Sequence, residues 1–412
     1  MDTYDVIVVG GGFCGSGLAT VLERAGHHCL VLERDEVFED RTKGEWIAPW
    51  GVAEAMRAGI LDDIRRARGH VLTRHIGFAV GVDPVDALSA ATPLALLPGI
   101  DGPLTQRHPD ACQVLFDAAG DAGAETRRGV SDVAVAAGSQ PTVTYRHAGA
   151  PHAATARLVI AADGRNSPAR RSFGLELERN PPHHLFSGLL VDGADGWPED
   201  AQMTGSEGDV HYLAFPQGGG RVRLYLGFGF DRRRWLTGAD GPARFVDAFR
   251  LGSLAAVHAE ALAGATPVSP CAVYPNEATW LADPAAVEGV LFVGDAAGWD
   301  DPITGQGLSI SLRDVRVVSE LLLASPSWDP GALAPYAVER AERMRRLRFA
   351  SSLVAALANE FGPEAEARRA RFRDRSATDP TLGAARIAAF MGPDAFPADA
   401  FTTAEFERAL AA

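Results

Sequence analysis

Three glycines near the start of the chain have a spacing that suits the binding of a dinucleotide. Gly10, Gly12 and Gly15 follow an apolar run at residues 5–9 and precede a helical stretch. The first glycine of such a turn permits the tight bend, the second lets a pyrophosphate approach the backbone, and the third lets the helix pack on the strand. Glu33 ends the next apolar run, about 20 residues further on, where an acidic residue is expected to bind a ribose hydroxyl pair. The pattern predicts a βαβ unit with a site for FAD or NAD.

Two later motifs separate these cofactors. The run Asp-Gly-Arg-Asn-Ser begins at Asp163, Gly-Asp ends at Asp295, and Pro-Ile-Thr-Gly-Gln-Gly ends at Gly307. In type and order these motifs resemble those of the single-component, glutathione-reductase-type FAD monooxygenases, the para-hydroxybenzoate hydroxylase class. The resemblance covers residues 4 to about 323, and the rest of the chain matches only as generic helices.

The resemblance implies both a fold and a chemistry. The expected fold class is α/β: an FAD-binding Rossmann domain of the glutathione reductase type, an inserted, mostly antiparallel β-sheet that binds substrate, and C-terminal helices. Members of the class reduce FAD with NAD(P)H and transfer one oxygen atom of O₂ through a flavin hydroperoxide. The expected function is hydroxylation or epoxidation of an apolar or aromatic small molecule, as in specialised metabolism.

The later motifs supply candidate contacts to the flavin. Asp295 stands just past a predicted strand, where its carboxylate can accept hydrogen bonds from ribityl hydroxyls; capping of the next turn is the alternative. Gly305 allows the ring system to lie against the loop. Backbone N–H groups at Gly307 and Leu308, at a predicted helix start, would face flavin N1 and O2 and favour negative charge there by ~0.3–1 kcal/mol.

Further cofactor contacts are implied by the resemblance. Arg107 would bind ribityl or phosphate groups, with a surface ion pair as the alternative, and Val130 would lie beside the adenine through its backbone. Lys43, the only lysine, lies where relatives close over the flavin, so a flavin or phosphate contact is expected beside the alternative of an exposed loop lysine. At Cys14 we expect a small packing side chain rather than a redox group. The remaining candidates for the cofactor site are Phe13, Arg34 and Asp163.

Catalytic residues stay open, because pocket side chains in this class follow no general code. His211 and Tyr212 lie on the strand expected to cover the flavin. Successive strand residues point to opposite faces, so only one of the two should face the pocket. Phe215 and Pro302 complete the pocket candidates.

Some residues depart from the hydroxylase pattern and leave alternatives open. Gly298 stands where many aromatic hydroxylases have histidine, and residues 294–305 also resemble the geranylgeranyl reductase branch, which hydrogenates isoprenoid double bonds. That branch has an aromatic Tyr-x-Trp-x-Phe-Pro run, but this chain has His211 and Leu213 at the first two positions. A flavin-dependent halogenase is a weaker alternative, because its Trp-x-Trp-x-Ile-Pro motif is missing and no lysine follows Lys43.

Composition limits the partners. The chain has 412 residues, 47% of them hydrophobic and 22% charged, which suits a folded protein with a full core. A formal net charge of -14 argues against nucleic acid binding. The four cysteines are far apart and the histidines lack metal-ligand spacing, so neither a disulfide framework nor a metal site is expected. With no signal peptide or membrane-length run, we expect a cytoplasmic monomer or homodimer that takes O₂ and a small-molecule substrate without stable membrane insertion.

The order of apolar runs predicts the organisation of the chain. The segments are an FAD-binding part at 1–180 with a substrate-domain excursion near 70–100, a substrate-binding sheet at 181–280, a second FAD-binding part at 281–335 and a helical region at 336–412. Predicted elements include helices near 109–122 and 307–324, strands near 185–191, 210–215 and 221–228, and a hairpin loop at 217–220. The arginines of the helical region, such as Arg345, Arg346, Arg368 and Arg369, are expected on a solvated face.

Overall fold

The computed structural model describes residues 1–40 and 44–411. Strands longer than two residues and helices of eight or more are numbered in chain order. The strands are β1 (Asp2–Val9), β2 (Cys29–Leu32), β3 (Arg74–Ala79), β4 (Glu125–Arg127), β5 (Ser131–Ala136), β6 (Thr142–His147), β7 (Ala150–Ala161), β8 (His184–Asp192), β9 (Ala201–Glu207), β10 (Val210–Gly218), β11 (Arg221–Phe228), β12 (Ala272–Asn276) and β13 (Val290–Phe292). The helices are α1 (Phe13–Arg24), α2 (Pro49–Arg57), α3 (His108–Ala122), α4 (Gly241–Ala248), α5 (Ala256–Gly264), α6 (Gly307–Ala324), α7 (Pro330–Ala358), α8 (Pro363–Ser376) and α9 (Thr403–Leu410).

Shorter elements connect these. The short helices are Leu61–Arg65, Pro84–Ser89, Pro168–Ser172 and Ala388–Met391, and the short strands are Trp46–Ile47, His70–Val71, Thr92–Pro93, Leu104–Thr105, Glu178–Arg179, Thr266–Pro267 and Thr279–Trp280. Across the described ranges, every helix is too short or too polar to cross a membrane.

The first sheet has a parallel core in the order β4-β2-β1-β7-β13, and β6 and β5 continue antiparallel from the first half of β7. Alternation along β1 explains its uninterrupted apolar sequence. Val6 and Val8 pack toward α1, α3 and α6, whereas Ile7 and Val9 belong to a core on the other face. A parallel strand covered on both faces has no polar side. The carboxyl ends of β1, β2, β7 and β13 therefore meet at one edge of the sheet.

The second sheet has the order β8-β11-β10-β9-β3, with β12 on the other side of β8. Its pairs are antiparallel except for β9 with β3, where Ala201 pairs with Arg74. One face covers a core that includes residues of α4 and α5. The β10–β11 hairpin turns at Gly219 and Gly220, which have φ of +64° and +75°. A two-residue turn with both φ values positive matches the strand twist and favours glycine, which accounts for the predicted loop. The expected α/β class with an added antiparallel sheet is confirmed.

A buried charge network joins the long helix α7 to the parallel core. Asp314 of α6 lies 2.7 Å from Nη2 of Arg343 and 3.4 Å from Nε of Arg340, both on α7. The carboxylate also accepts a hydrogen bond from the backbone N–H of Gly294 at 2.8 Å. Arg340 in turn donates to the carbonyl oxygens of Gly294 and Gly298, each at 3.0 Å. The network fixes the turn after β13 between two helices.

The expectation of a solvated arginine face on the C-terminal helices was wrong in part. Nη1 of Arg346 donates to the carbonyl oxygens of Pro393 and Phe396, each at 3.1 Å, and Nη1 of Arg345 donates to that of Phe401 at 3.1 Å. These arginines bind backbone carbonyl oxygens of the segment at 393–401. The alternation of arginine and glutamate in the sequence does not reveal such bonds. They hold the last part of the chain against α7.

Replacing Asp314 with alanine is expected to destabilise the folded chain by about 3–5 kcal/mol, because two buried guanidinium groups lose their counter-charge. Urea unfolding followed by circular dichroism measures this. Burial alone would raise the pKa of Asp314, but the charges of Arg340 and Arg343 hold this pKa below its ordinary value. The stabilisation is therefore present at neutral pH and lost as the pH falls through the folded pKa.

The matched control removes a carboxylate from an exposed arginine pair. Asp247 pairs with Arg250 at 3.2 Å, and the two side chains are 75% and 80% exposed. Asp247→Ala is expected to cost about 0–1 kcal/mol. A loss in Asp314→Ala no larger than in this control would show that the buried network is not a determinant of stability.

Candidate functional site

Three adjoining cavities extend from the carboxyl edge of the first sheet to the second sheet. The strand-end cavity has about 460 Å³ and is lined by Gly10, Glu33, Arg34, Val130 and Asp163, among others. The central cavity has about 300 Å³ and lies between the sheets, with a lining that includes Phe13, Cys14, Asp295, Pro302, Gly305, Gly307 and Leu308. The apolar cavity has about 870 Å³ and lies between the second sheet and the C-terminal helices. The structure thus distributes the candidate residues of the sequence over connected spaces.

The glycines of the first turn have two different roles. Gly10 has φ +106°, and a Cβ there would lie 2.4 Å from the carbonyl oxygen of Ala162. A Cβ on Gly15 would lie 2.0 Å from the carbonyl oxygen of Gly10. A Cβ on Gly12 would meet no atom within 4 Å, and Gly12 lines both the strand-end and the central cavity. The fold itself needs Gly10 and Gly15, whereas Gly12 borders space that suits a pyrophosphate at the N-terminus of α1.

The first turn of α1 also carries Phe13 and Cys14, which line the central cavity. The Cys14 thiol is buried, lies 3.7 Å from the carbonyl oxygen of Ser311 and has a pKa raised by burial. A protonated, buried thiol suits the packing role expected for Cys14.

Glu33 is a buried carboxylate at the end of β2. It accepts a hydrogen bond from the backbone N–H of Asp35 at 2.8 Å, and burial raises its pKa. Val130 lies next to it, since its backbone N–H donates to the Glu33 carbonyl oxygen at 3.1 Å. Arg34, with a side chain 72% exposed, lies at the rim and pairs with Asp35. Glu33 and Val130 together form a wall fit for a ribose and an adenine.

Asp163 and Asp295 end neighbouring strands of the parallel core. Asp163 accepts a hydrogen bond from the backbone N–H of Ala169 at 3.0 Å, which orders the turn into the following short helix. Asp295 is 28% exposed, lines the central cavity and pairs with Nε of Arg165 at 3.2 Å. Its carboxylate faces a cavity-lining arginine rather than capping the turn, so it stays available to hydroxyl groups in the cavity.

The N-terminus of α6 points into the central cavity. Pro302, Gly305, Gly307 and Leu308 all line it, and the turn before the helix is fixed by Asp301, which accepts from the backbone N–H of Ile303 at 2.9 Å. The first N–H groups of a helix have no acceptor within the helix and carry a partial positive charge. This end of the cavity therefore favours a polar, negatively charged edge of a ligand.

The second sheet separates His211 from Tyr212. His211 is buried, lines the apolar cavity and has Nδ1 3.0 Å from Oγ of Ser206. Tyr212 lies on the other face, in the core, with its hydroxyl 2.8 Å from Oγ of Ser253. The prediction of Tyr212 as a pocket candidate was wrong, because neighbouring residues on a strand point to opposite faces and His211 faces the cavity. Phe215, on the same face as His211, lines both the central and the apolar cavity.

Sequence reasoning missed a chain of polar side chains on the wall between these cavities. Nε1 of Trp46 donates to Oε1 of Gln202 at 2.8 Å, and Nε2 of Gln202 lies 3.1 Å from Nδ1 of His75. The amide donates, so His75 accepts at Nδ1. Burial lowers the pKa of His75 and of His211 to about 4. Both imidazoles are neutral at pH 7, and no local sequence motif marks these residues.

A second missed group holds the roof of the central cavity. Glu45 accepts a hydrogen bond from Nη2 of Arg223 at 2.6 Å and from the hydroxyl of Tyr225 at 3.1 Å. Arg223 is fully buried, and burial raises the pKa of Tyr225 well above its ordinary value. The signal in the sequence was Arg223 itself, a charged residue directly before the apolar run that completes β11.

Arg107, an expected cofactor contact near α3, makes two ion pairs in the structure, which was the alternative expected for it. Arg107 precedes the helix and lies 3.7 Å from a carboxylate oxygen of Asp40 and 3.5 Å from one of Asp110. The next residue, His108, lines both the strand-end and the central cavity. Lys43 lies outside the described residues.

A protein-family model described as an FAD binding domain matches residues 3–350. The chain belongs to this family. It is an FAD-dependent oxidoreductase with the α/β fold expected from the sequence, and FAD is its cofactor.

Relatives of this FAD protein fall into two reaction classes. It is 28% identical over 358 residues to digeranylgeranylglycerophospholipid reductase 2 of Methanothermobacter thermautotrophicus, an alignment that covers 85% of each chain. It is 26% identical over 328 residues to the mitochondrial squalene epoxidase 2 of Arabidopsis thaliana, covering 77% of this chain and 54% of that protein, so it spans about half of that relative. The expected likeness to the geranylgeranyl reductase branch is confirmed.

Solved structures share the fold. The crystal structure of p-nitrophenol 4-monooxygenase PnpA from Pseudomonas putida DLL-E4 superimposes with a TM-score of 0.80, at 19% identity, over 96% of this chain and 99% of that chain. At this identity, the likeness concerns the fold alone.

The described residues fit FAD. The strand-end and central cavities adjoin at Gly12, His108, Ala162 and Gly164, which line both. An adenosine would lie beside Glu33, a pyrophosphate at Gly12, and a flavin ring in the central cavity against the N-terminus of α6. Glu33, the space beside Gly12 at the N-terminus of α1 and the donor N–H groups of α6 suit the adenosine, the pyrophosphate and the flavin ring in that order, and Asp295 faces the cavity between the last two.

Gly12→Val is expected to lower FAD affinity by more than about tenfold, or about 1.4 kcal/mol, because the new side chain fills the space for the pyrophosphate. The free energy of unfolding of the apoprotein should fall by less than about 1 kcal/mol, because a Cβ there meets no atom within 4 Å and the loss is that of a favourable glycine at the N-cap of α1. Gly15→Ala gives the contrast: the Cβ lies against the backbone and should cost about 1–3 kcal/mol of stability. Flavin titration and thermal unfolding measure the two quantities. Equal effects of both substitutions on stability would contradict the assignment.

Asp295→Ala is expected to reduce FAD affinity about tenfold, because hydrogen bonds from ribityl hydroxyls to a carboxylate are worth about 1.5–3 kcal/mol. Fluorescence titration of the apoprotein with FAD measures the change. The control is Asp200→Ala, which removes a carboxylate 2.7 Å from Arg74 on the surface and should leave FAD affinity unchanged. An unaltered titration in Asp295→Ala would leave Asp295 as a partner of Arg165 alone.

Proposed function

We propose that this FAD-dependent oxidoreductase is a monooxygenase that takes electrons from NAD(P)H and inserts one oxygen atom of O₂ into a bulky, apolar small molecule. The observation that carries the proposal is the junction of the central and apolar cavities, which share Trp46, Leu213, Phe215 and Ile303 as lining. A large apolar molecule in one cavity would meet the flavin ring in the other. The squalene epoxidase relative supports this substrate class.

The wide spacing of the cysteines supports a cytoplasmic location.

The chain's own groups would prepare the site for this chemistry. When bound, FAD supplies hydride acceptance and the activation of O₂. The N-terminus of α6, at Gly307 and Leu308, would stabilise negative charge on the polar edge of the ring. Asp295 would hold the ribityl chain and so set how deeply the ring enters the central cavity.

The second sheet would keep water away from the reacting atoms. Phe186, Leu213 and Phe215 present apolar side chains to the central cavity, and Tyr225 is held in the roof by Glu45. The neutral His211 adds no charge to the apolar side. Excluding water protects a reactive site from side reactions, and holding the substrate near the ring lowers the entropic part of the barrier.

A reductase is the second candidate function, favoured by two observations. The likeness to the digeranylgeranylglycerophospholipid reductase covers 85% of both chains. In addition, Gly298 has φ +109°, and a Cβ there would lie 2.5 Å from the carbonyl oxygen of Thr279. The histidine of many aromatic hydroxylases therefore does not fit this backbone. In this alternative, the same cavities would hold an isoprenoid chain for hydrogenation.

Isotope labelling separates the two reactions. We expect NAD(P)H oxidation that is slow alone and accelerated by an apolar substrate, with one O₂ used per turnover. Under ¹⁸O₂, the product should carry one labelled oxygen atom by mass spectrometry. A reductase would give a product heavier by two hydrogens, formed as well or better without air. Anaerobic turnover to a saturated product would overturn the monooxygenase proposal.

A further inference from the structure

Two arginines interrupt the apolar lining of the large cavity. Arg369 lies on α8 and Arg386 in the turn that follows Gly383, and both line the apolar cavity. Most of the remaining lining is apolar or neutral, and it includes Phe78, Leu94, Leu96, Met203, Leu213, Phe215, Val354, Leu357 and Phe390. Two permanent cations in such a lining need an explanation, because burying a charge is costly unless it is paired.

Backbone carbonyl oxygens hold both guanidinium groups in place. Nη1 of Arg369 donates to the backbone carbonyl oxygen of Glu360 at 2.7 Å. Nη1 of Arg386 donates to the carbonyl oxygens of Gly383 at 3.1 Å and of Leu382 at 3.3 Å. Each guanidinium carries five N–H donors, so one fixed nitrogen leaves the fork oriented with others to spare. The Arg386 guanidinium also lies over the Phe372 ring, 5.0 Å from its centroid, so carbonyl oxygens and an aromatic ring orient these groups without an ion pair within 4.0 Å.

Neither arginine has a carboxylate oxygen within 4.0 Å among residues 1–40 and 44–411. Burial lowers the pKa of both. For Arg369 the charges of Glu366 and Glu360 oppose this effect of burial without either carboxylate lying within 4.0 Å. Two fully buried arginines have carboxylate partners, Arg223 with Glu45 at 2.6 Å and Arg343 with Asp314 at 2.7 Å, whereas Arg369 and Arg386 are only partly buried and line a cavity.

The arginines lie on the solvent side of the cavity. Glu366 and Arg373, one turn before and after Arg369 on α8, also line it and are exposed, as is Val80 across the opening. The residues shared with the central cavity include neither Arg369 nor Arg386. A group held by these arginines would therefore leave the body of the molecule free to extend toward the flavin.

We infer that the substrate is an amphipathic organic anion, with a long apolar body in the apolar cavity and a carboxylate or phosphate group bound by Arg369 and Arg386. The inference rests on the proposed function, since it names the substrate class of that site. Planar guanidinium forks match carboxylate and phosphate oxygens, and the substrate anion supplies the counter-charge that the fold withholds.

Calorimetric titration of the FAD-loaded full chain tests the inference with three probes of equal chain length. Dodecanoate, dodecyl phosphate and 1-dodecanol are added below the concentrations at which they aggregate, at pH 8. Each anion is expected to bind at least about tenfold more tightly than the alcohol, and the tighter anion identifies the end group. Equal affinities for anions and alcohol, or no binding of any probe, would overturn the inference.

Charge variants locate the anion. Arg386→Gln and Arg369→Gln should each weaken dodecanoate binding about tenfold and leave the affinity for 1-dodecanol unchanged, whereas Arg386→Lys should retain most of the preference for anions. Arg375→Gln, on the exposed side of α8, is the matched control and should behave as wild type. The flavin absorption spectrum reports whether each variant is folded and loaded. An undiminished preference for anions in the double variant Arg369→Gln/Arg386→Gln would overturn the assignment.

Binding and turnover are separate readouts here. Calorimetry needs neither NAD(P)H nor O₂, so selective binding of anions without oxygen insertion would overturn the proposed function and leave the anion site intact. Labelled oxygen in a product from an uncharged substrate, with no preference for anions in binding, would support the proposed function and overturn the anion site.

Discussion

The buried carboxylate of Asp314 connects the cofactor side of the molecule to the substrate side. It accepts the backbone N–H of Gly294 and faces Arg340 and Arg343, so one charge orders the turn that presents Asp295 and also anchors α7. The far part of α7 supplies Val354 and other lining of the apolar cavity. A buried carboxylate and its arginine partners all lose their hydration on folding. The carboxylate is therefore stabilising only while those partners stay in place. The position of a cavity wall and that of a ribityl acceptor therefore depend on the same interaction.

Arginine has three distinct uses in this chain, which nearly lacks lysine. Arg223 and Arg343 neutralise buried carboxylates and so fix distant elements to each other. Arg346 caps carbonyl oxygens and holds the last segment. Arg369 and Arg386 are oriented by carbonyl oxygens, line the apolar cavity and have no carboxylate oxygen within 4.0 Å among the described residues. Their place in a cavity lining is what points to a ligand rather than to the fold.

How well the sequence predicted a feature depended on how far apart in the chain its interacting residues lie. The glycine turn, Glu33 and the start of α6 at Gly307 follow from short-range backbone rules, since a turn or helix start is set by a few neighbouring residues. The Glu45–Arg223 pair spans 178 positions, so no local pattern could reveal it.

Strand parity was the other limit. Alternation requires His211 and Tyr212 to point to opposite faces, but which of them faces the cavity depends on packing against α4 and α5. Arg368 and Arg369 of α8 were mistaken for a solvated face because their hydrogen-bond partners, the carbonyl oxygens of Ala356 and Glu360, lie at the end of α7 and just after it, and helix packing is not visible in the alternation of charges.

The residues that bind FAD cannot by themselves decide between oxygen insertion and hydrogenation. Epoxidase and reductase relatives align with the same chain, so the groups shared by both serve the cofactor. The backbone around Gly298 excludes one hydroxylase feature on steric grounds, which favours a reductase over an aromatic hydroxylase but does not separate it from an epoxidase. What remains is the wall where the two cavities meet, formed by Trp46, Phe215 and Ile303 among others. Access of water and the distance of the substrate from the ring are both set there, and these are the quantities that separate an oxygenase from a reductase on one scaffold.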